Sequence, residues 1–169
     1  MKILVLNGSL RCGGNTDFLV DAFRKGAEEK GHEVKRIDLR DLKIADCKGC
    51  GACKGNGGNC VNQDDMQKVY PLLKAAEVVI LASPIYYWNL TGLLQTTISR
   101  FYAPYKMPAK KFGMILSSGS DGVYDAPISQ LNSIVSYFKT ESVGIHCIYG
   151  RKNGSEEAYK ELFEFGKSI

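Results

Sequence analysis

Five short apolar runs, set between amphipathic segments, restrict this chain more than any other feature of it. KILVLNG (2–8), HEVKRIDL (32–39), EVVILASP (77–84), KKFGMILSS (110–118) and SVGIHCIYG (142–150) read as strands. Residues 15–31, 64–77, 90–102, 126–139 and 155–168 read as helices. The first of these sets Phe18, Leu19, Ala22 and Phe23 at helical spacing and stops at Gly31. EVVILASP is the most apolar strand, as a strand buried on both faces must be. HEVKRIDL alternates, as an edge strand does. Asp64 or Asp65 is placed to cap the helix over 64–77, and Pro71 is expected to interrupt or bend it. Strands alternating with helices make a parallel sheet covered on both faces.

Right-handed crossovers in a chain of 169 residues favour the strand order 2-1-3-4-5, a flavodoxin-like α/β sandwich of three layers. That length suits one domain over 1–169. Hydrophobic residues make up 44% and charged residues 24%, values of a globular chain. The net charge is +4, with Lys and Arg scattered rather than gathered in a stripe, so a nucleic-acid partner is not expected. MKILVLNGS carries one lysine and too short an apolar run for a signal peptide, and no stretch reaches the length of a membrane span. The expectation is a cytoplasmic protein with no membrane partner. Clustered cysteines in a reducing compartment point to metal or redox chemistry rather than to structural disulfides.

In such a sheet the ligand lies at the carboxyl ends of the strands, near the switch point between strands 1 and 3. After strand 1 comes NGSLRCGGNT (7–16), leading into a helix. It matches neither the P-loop nor the dinucleotide fingerprint. It still makes a phosphate cradle. Ser9, Asn15 and Thr16 carry side-chain donors, Gly13 and Gly14 let backbone N–H groups converge, and Arg11 supplies a charge at a helix N-terminus. The plain alternative is a turn with Asn15 as helix cap. After strand 3, SPIYYWNLTG (83–92) presents Tyr86, Tyr87 and Trp88, suited to a flat ring or equally to core or subunit packing. After strand 4, SSGSDG (117–122) permits close approach to a planar ligand, or is a simple surface turn.

Together GSLRCGGNT, the run C-x2-C-x2-C-x6-C followed by DDM, and ASPIYYWNLTG with Arg100 resemble the NAD(P)H-dependent FMN reductase and iron–sulfur flavoprotein family. The resemblance implies that Ser9, Arg11, Asn15 and Thr16 hold FMN phosphate. It places Pro84, Tyr86, Trp88 and Asn89 along the flavin ring, and Ser118 and Gly119 on its pyrimidine side. It also implies a homodimer or homotetramer in which the cysteine loop meets a neighbouring subunit's FMN. The chain departs from the family at one place. Where relatives often carry Lys and Asp in a K-x3-D-R pattern, Gln95 and Ser99 stand ahead of Arg100, which removes an ion pair.

Cys47, Cys50, Cys53 and Cys60 have the contiguous short spacing that wraps three corners of a cubane and closes the fourth with a later cysteine. By resemblance they would be the ligands of a [4Fe–4S] cluster. Zinc, and an empty or partly oxidised thiol loop, stay open beside it. Cys147 and His146 read as core or rim residues of strand 5, and Cys12 as incidental to its loop. The reading is an FMN-dependent oxidoreductase. It would take electrons from NAD(P)H and hand them to a small-molecule or protein acceptor, with no side chain assigned to acid–base chemistry. A non-enzymatic flavin or iron–sulfur electron carrier, and a metal-binding interaction module, are the rivals.

Overall fold

The structure is a computed structural model, which describes residues 1–103 and 111–169. Lys110, the first residue of the expected fourth strand, lies outside the described residues. Five parallel strands form one sheet: β1 (Lys2–Asn7), β2 (Glu33–Asp38), β3 (Val78–Pro84), β4 (Lys111–Ser118) and β5 (Glu141–Tyr149). Their order is β2-β1-β3-β4-β5, as expected. The helices are α1 (Asn15–Glu29), α2 (Ala52–Gly55), α3 (Met66–Ala75), α4 (Gly92–Ser99), α5 (Asp125–Phe138) and α6 (Glu156–Ser168).

The pleat sorts the apolar strand residues onto two cores. Leu4, Leu6, Val79, Leu81, Met114 and Leu116 belong to the core with α3, α4 and α5. Ile3, Val5, Val78, Ile80 and Ile115 belong to the core with α1 and α6. β3 lies at the centre with every residue but Pro84 buried, and β2 is a half-exposed edge. On the second face α1 and α6 touch backbone to backbone. A methyl group on Gly26 would strike the Phe163 carbonyl, and one on Gly166 would strike that of Phe23.

Several local expectations change. α1 is capped at Gly14, without a side-chain bond, so Asn15 is its first residue and not its cap. α3 begins at Met66 and runs through Pro71 without interruption. Pro71 is exposed, so its missing N–H falls on the solvent side. Asp64 accepts a bond from the Met66 N–H (3.1 Å), whereas Asp65 at the cap position makes no side-chain cap. The stretch 90–102 divides into α4, capped by Thr91, and a 3-10 turn over Arg100–Tyr102. The cysteine loop folds one short helix, α2, which its glycines had hidden.

Candidate functional site

β1 ends at Asn7, wholly buried, and the chain turns over a charged floor before entering α1. The Asn7 amide donates to Asp17 (2.6 Å) and Asp38 (2.7 Å) and accepts from the Ser9 N–H (3.1 Å). Asp17, only 5% exposed, also takes the Gly13 N–H (2.8 Å) and ion pairs from Arg36 (2.7 Å) and Arg40 (3.1 Å). Burial alone would raise the Asp17 pKa. The bonds from Arg40, Gly13 and Asn7 and the charge of Arg36 outweigh it and hold the carboxyl below its ordinary range.

Arg40 gives this floor its purpose. Its Nη1 donates to the carbonyls of Ser9 (3.2 Å) and Arg11 (3.1 Å). In a trans peptide the following N–H points the other way. The amides of Leu10 and Cys12 are thus turned away from Arg40. The first amides of α1, left without a side-chain cap, add orphan donors and partial positive charge. Asp17, Arg36, Asp38 and Arg40 escaped the sequence reading. The signal available was an acid in the first turn of α1 with one arginine inside the edge strand and another just beyond it.

Above this loop opens a cleft of about 320 Å³. Ser9, Arg11, Asn15, Thr16, Pro84, Tyr86, Ser118 and Gly119 all line it, which brings three sequence-distant loops to one place. Ile85, Ser117, Gly150 and Asn153 line it too. The last two sit beyond β5, a loop to which the sequence reading gave no role. Asn153 donates to the Ser118 carbonyl (2.7 Å). The Ser118 hydroxyl is occupied by Ser120 and Tyr124, leaving backbone N–H groups as what this wall can offer a ligand. The Thr16 hydroxyl shares a bond with Ser117 (2.8 Å), fixing α1 to β4.

Trp88 and Asn89 do not line the cleft. Residues 86–89 form a tight hairpin turn, with Tyr86 and Asn89 exchanging backbone bonds (3.0 and 3.2 Å). Its two central residues have left-handed backbones, Tyr87 with φ 50° and Trp88 with φ 62°. Tyr87 is 93% and Trp88 58% exposed, with their rings edge to face. The Asn89 side chain turns to the Leu90 N–H and to Gln95 (both 2.8 Å). Gln130 donates in turn to Gln95 (2.8 Å). Neutral hydrogen bonds within the chain thus stand where the family pattern carries an ion pair.

The four cysteines meet at a second pocket, with Arg100 and Tyr102 in its wall. Cys47 and Cys50 are exposed, Cys60 half-buried and Cys53 buried. Among the described residues no group of three or more His, Cys, Asp or Glu stands close enough to hold a metal ion. One zinc would draw its thiolates to within about 4.6 Å of each other, twice the Zn–S distance. A cluster of several irons carries its thiolates wider apart. Four soft sulfur donors around one pocket suit a cluster in kind and number, as they would a single zinc drawn between them. Burial pushes the Cys60 thiol up, but bonds from the Asn62 backbone, Tyr70 and Arg100 bring it below its ordinary range. Cys147, by contrast, is pushed up to about 11 by burial, and His146 is held by Glu161 (2.7 Å). Among the described residues no helix is long and apolar enough to cross a membrane.

Comparison with known proteins follows the same lines. The chain is similar to an iron-sulfur flavoprotein of Archaeoglobus fulgidus, 32% identical over 175 residues, which takes in 100% of this chain and 79% of that protein. An iron-sulfur flavoprotein of Methanosarcina thermophila is 35% identical over 100 residues, 59% of this chain and 52% of that protein, so the chain matches about half of that relative's length. Among solved structures a flavone reductase superposes with a TM-score of 0.78 at 19% identity, over 99% of this chain and 61% of that one. The pattern of one family, NADPH-dependent FMN reductase, matches residues 1–150, and the chain belongs to that family.

Proposed function

We propose that this protein is an FMN-dependent oxidoreductase that draws electrons from NAD(P)H and passes them on through a [4Fe–4S] cluster. The observation that carries the reading is the placing of two built pockets at the two ends of α4. At its N-terminus the Thr91 hydroxyl donates to the Gly8 carbonyl (2.8 Å), at the edge of the phosphate loop. Past its C-terminus Arg100 enters the wall of the four-cysteine pocket. The helix between has eight residues, a rise of roughly 12 Å.

When bound, FMN takes up hydride from NAD(P)H and releases electrons singly or in pairs, and a cluster moves them singly. The chain supplies the holding. Ser9, Asn15 and Thr16 with the first amides of α1 would bind the phosphate, and Arg11 would offset its charge. Pro84 and Tyr86 would border one edge of the ring, with the backbone at Ser118 and Gly119 along the other. Cys47, Cys50, Cys53 and Cys60 would ligate the cluster. The exposed Tyr87–Trp88 turn stands beside the cleft, where a second copy in a homodimer or homotetramer would cover it. The acceptor is a small molecule or a protein.

An anaerobic titration of the full chain with FMN, iron and sulfide, followed by steady-state NAD(P)H oxidation, tests this. Stoichiometric FMN with catalytic turnover supports the enzyme. Bound flavin that is not turned over by NADH or NADPH would make the protein an electron carrier instead. Turnover without iron and sulfide uptake would remove the cluster from the reading.

A further inference from the structure

We propose that Arg100 is the positioning residue of the four-cysteine site. Its guanidinium fastens both ends of the cysteine loop and aims an N–H at the Cys60 sulfur, so that a cluster held there is easier to reduce. The inference rests on the cluster reading above.

Arg100 is 1% exposed, one of the largest side chains to be fully buried. Nη1 donates to the Ala45 carbonyl (2.7 Å) and pairs with Asp64 Oδ2 (2.6 Å). Nη2 reaches Cys60 Sγ (3.3 Å) and Asp64 Oδ1 (3.3 Å). Asp64 in turn accepts the Ala45 N–H (3.0 Å), so Ala45 is gripped through both its N–H and its carbonyl. Ala45 and Cys60 flank the loop, and one planar side chain binds both. On either side lesser bonds repeat the arrangement. Thr96 holds Asp46 (2.6 Å) and Gln67 holds the Cys60 carbonyl (3.0 Å).

An ion pair kept for stability alone is readily replaced by apolar side chains of the same volume. Here the charge has a second use. Among the described residues Nε, itself buried, has no partner, so the guanidinium is not placed to satisfy all its donors there. It is placed to reach carbonyl, carboxylate and sulfur at once, which the forked geometry of arginine allows and the point charge of lysine does not. Reduction adds negative charge to a cluster. A nearby cation and an N–H directed at a ligand sulfur stabilise that form and raise the potential.

The test uses the full chain, reconstituted anaerobically with iron and sulfide, as wild type, Arg100→Lys and Arg100→Gln. Loaded Arg100→Gln should show a midpoint lower by at least 59 mV, a tenfold change in a one-electron equilibrium, with Arg100→Lys between it and wild type. Full iron and sulfide with a wild-type midpoint in Arg100→Gln overturns the proposal. Should that variant fail to load, amide hydrogen exchange of the unloaded proteins decides. Faster exchange at Ala45 and Cys47 in Arg100→Gln upholds the clamp, and unchanged exchange overturns it. If wild type takes up no iron or sulfide, the cluster reading fails and the claim about potential falls with it. The clamp is then judged by the same exchange measurement alone.

Discussion

Residues 9–16 and residues 45–64 both carry glycines, and both rest on arginine–aspartate pairing in which one member is buried, Asp17 under the first and Arg100 under the second. Under the first loop Arg40 and Arg36 meet Asp17, and under the second Arg100 meets Asp64. The first is held along its length. The Ser9 and Arg11 carbonyls are bound by Arg40, and the Ser9, Arg11 and Gly13 amides by neighbouring side chains. The second is fixed chiefly at its two ends and at the buried Cys53, while Cys47 and Cys50 stay exposed. A loop pinned at each peptide presents a finished site, whose ligand adds little order. A loop pinned at its ends leaves the ligand to draw its donors together, so binding and ordering are coupled there. The difference follows from what each loop offers: backbone N–H groups, which must be aimed beforehand, or side-chain thiolates, which can swing.

The sharpest way to break this comparison is to remove one thiol. Cys50→Ala or Cys53→Ala should abolish stoichiometric iron uptake while FMN affinity and the circular dichroism spectrum stay those of wild type. An iron and sulfide assay beside a flavin titration reads both. A matching fall in FMN affinity would show that the two loops are one cooperative unit.

Asp17→Asn probes the pinned loop. It removes a charge that both arginines share, while Arg36 keeps Asp21 and Asp38 and Arg40 keeps Asp38, so the cost should be about 1–2 kcal/mol. Urea unfolding should show that loss near neutral pH, with weaker FMN binding beside it. The pH dependence has a definite sign. The carboxyl is held below its ordinary value of 3.8, so its contribution is complete above that pH and is lost as the pH falls further, through the folded-state value. Asp64, lowered by Arg100 against the opposing effect of burial, acts in the same direction. Wild type should therefore lose stability below pH 3.8, and Asp17→Asn should lose less over the same interval.

The contrast also explains what could be read from the residues in order. The five strands were legible because β3 is uniformly apolar and the others lie between clear helical periods. The cysteine positions were legible because ligand spacing is local. The braces were not. Asp17 meets Arg36 and Arg40 only once α1 packs on the sheet face over β1 and its neighbour β2, and Asp64 meets Arg100 across a separation of 36 residues. Gly150 and Asn153 escaped for a related reason: a turn after an edge strand has no pattern of its own, and it reaches the cleft only because β5 lies beside β4. The outward placing of Trp88 was hidden too. An aromatic run at the right strand end suggests ring contact, but a two-residue turn carries its central residues outward.

Arg11→Ala gives a smaller effect. Arg11 lines the cleft but is exposed, so water screens it and the backbone donors remain. Loss of one charge-assisted contact should weaken FMN binding roughly tenfold with no change in unfolding. Wild-type affinity would leave the phosphate to the helix amides alone.

The smallest effect concerns the turn over Tyr87 and Trp88. A left-handed backbone costs a non-glycine residue roughly 1–2 kcal/mol, and a turn of this shape favours Asn-Gly. Replacing the pair by Asn-Gly removes that cost. It also removes an edge-to-face ring contact and adds glycine freedom to the unfolded chain. The balance should be a gain of about 1 kcal/mol in urea unfolding. Strain kept at an exposed turn beside a ligand cleft has a reason only if the rings are used. The same double variant should therefore bind FMN less tightly or turn over NAD(P)H more slowly, even as it becomes more stable. Trp88 is the only tryptophan, so its emission reports on this directly. Quenching on FMN saturation of wild type would mean that the ring, or a second copy closing over it, reaches a residue outside the cleft wall. Unchanged emission together with unchanged turnover in the variant would leave the turn without a role at the flavin.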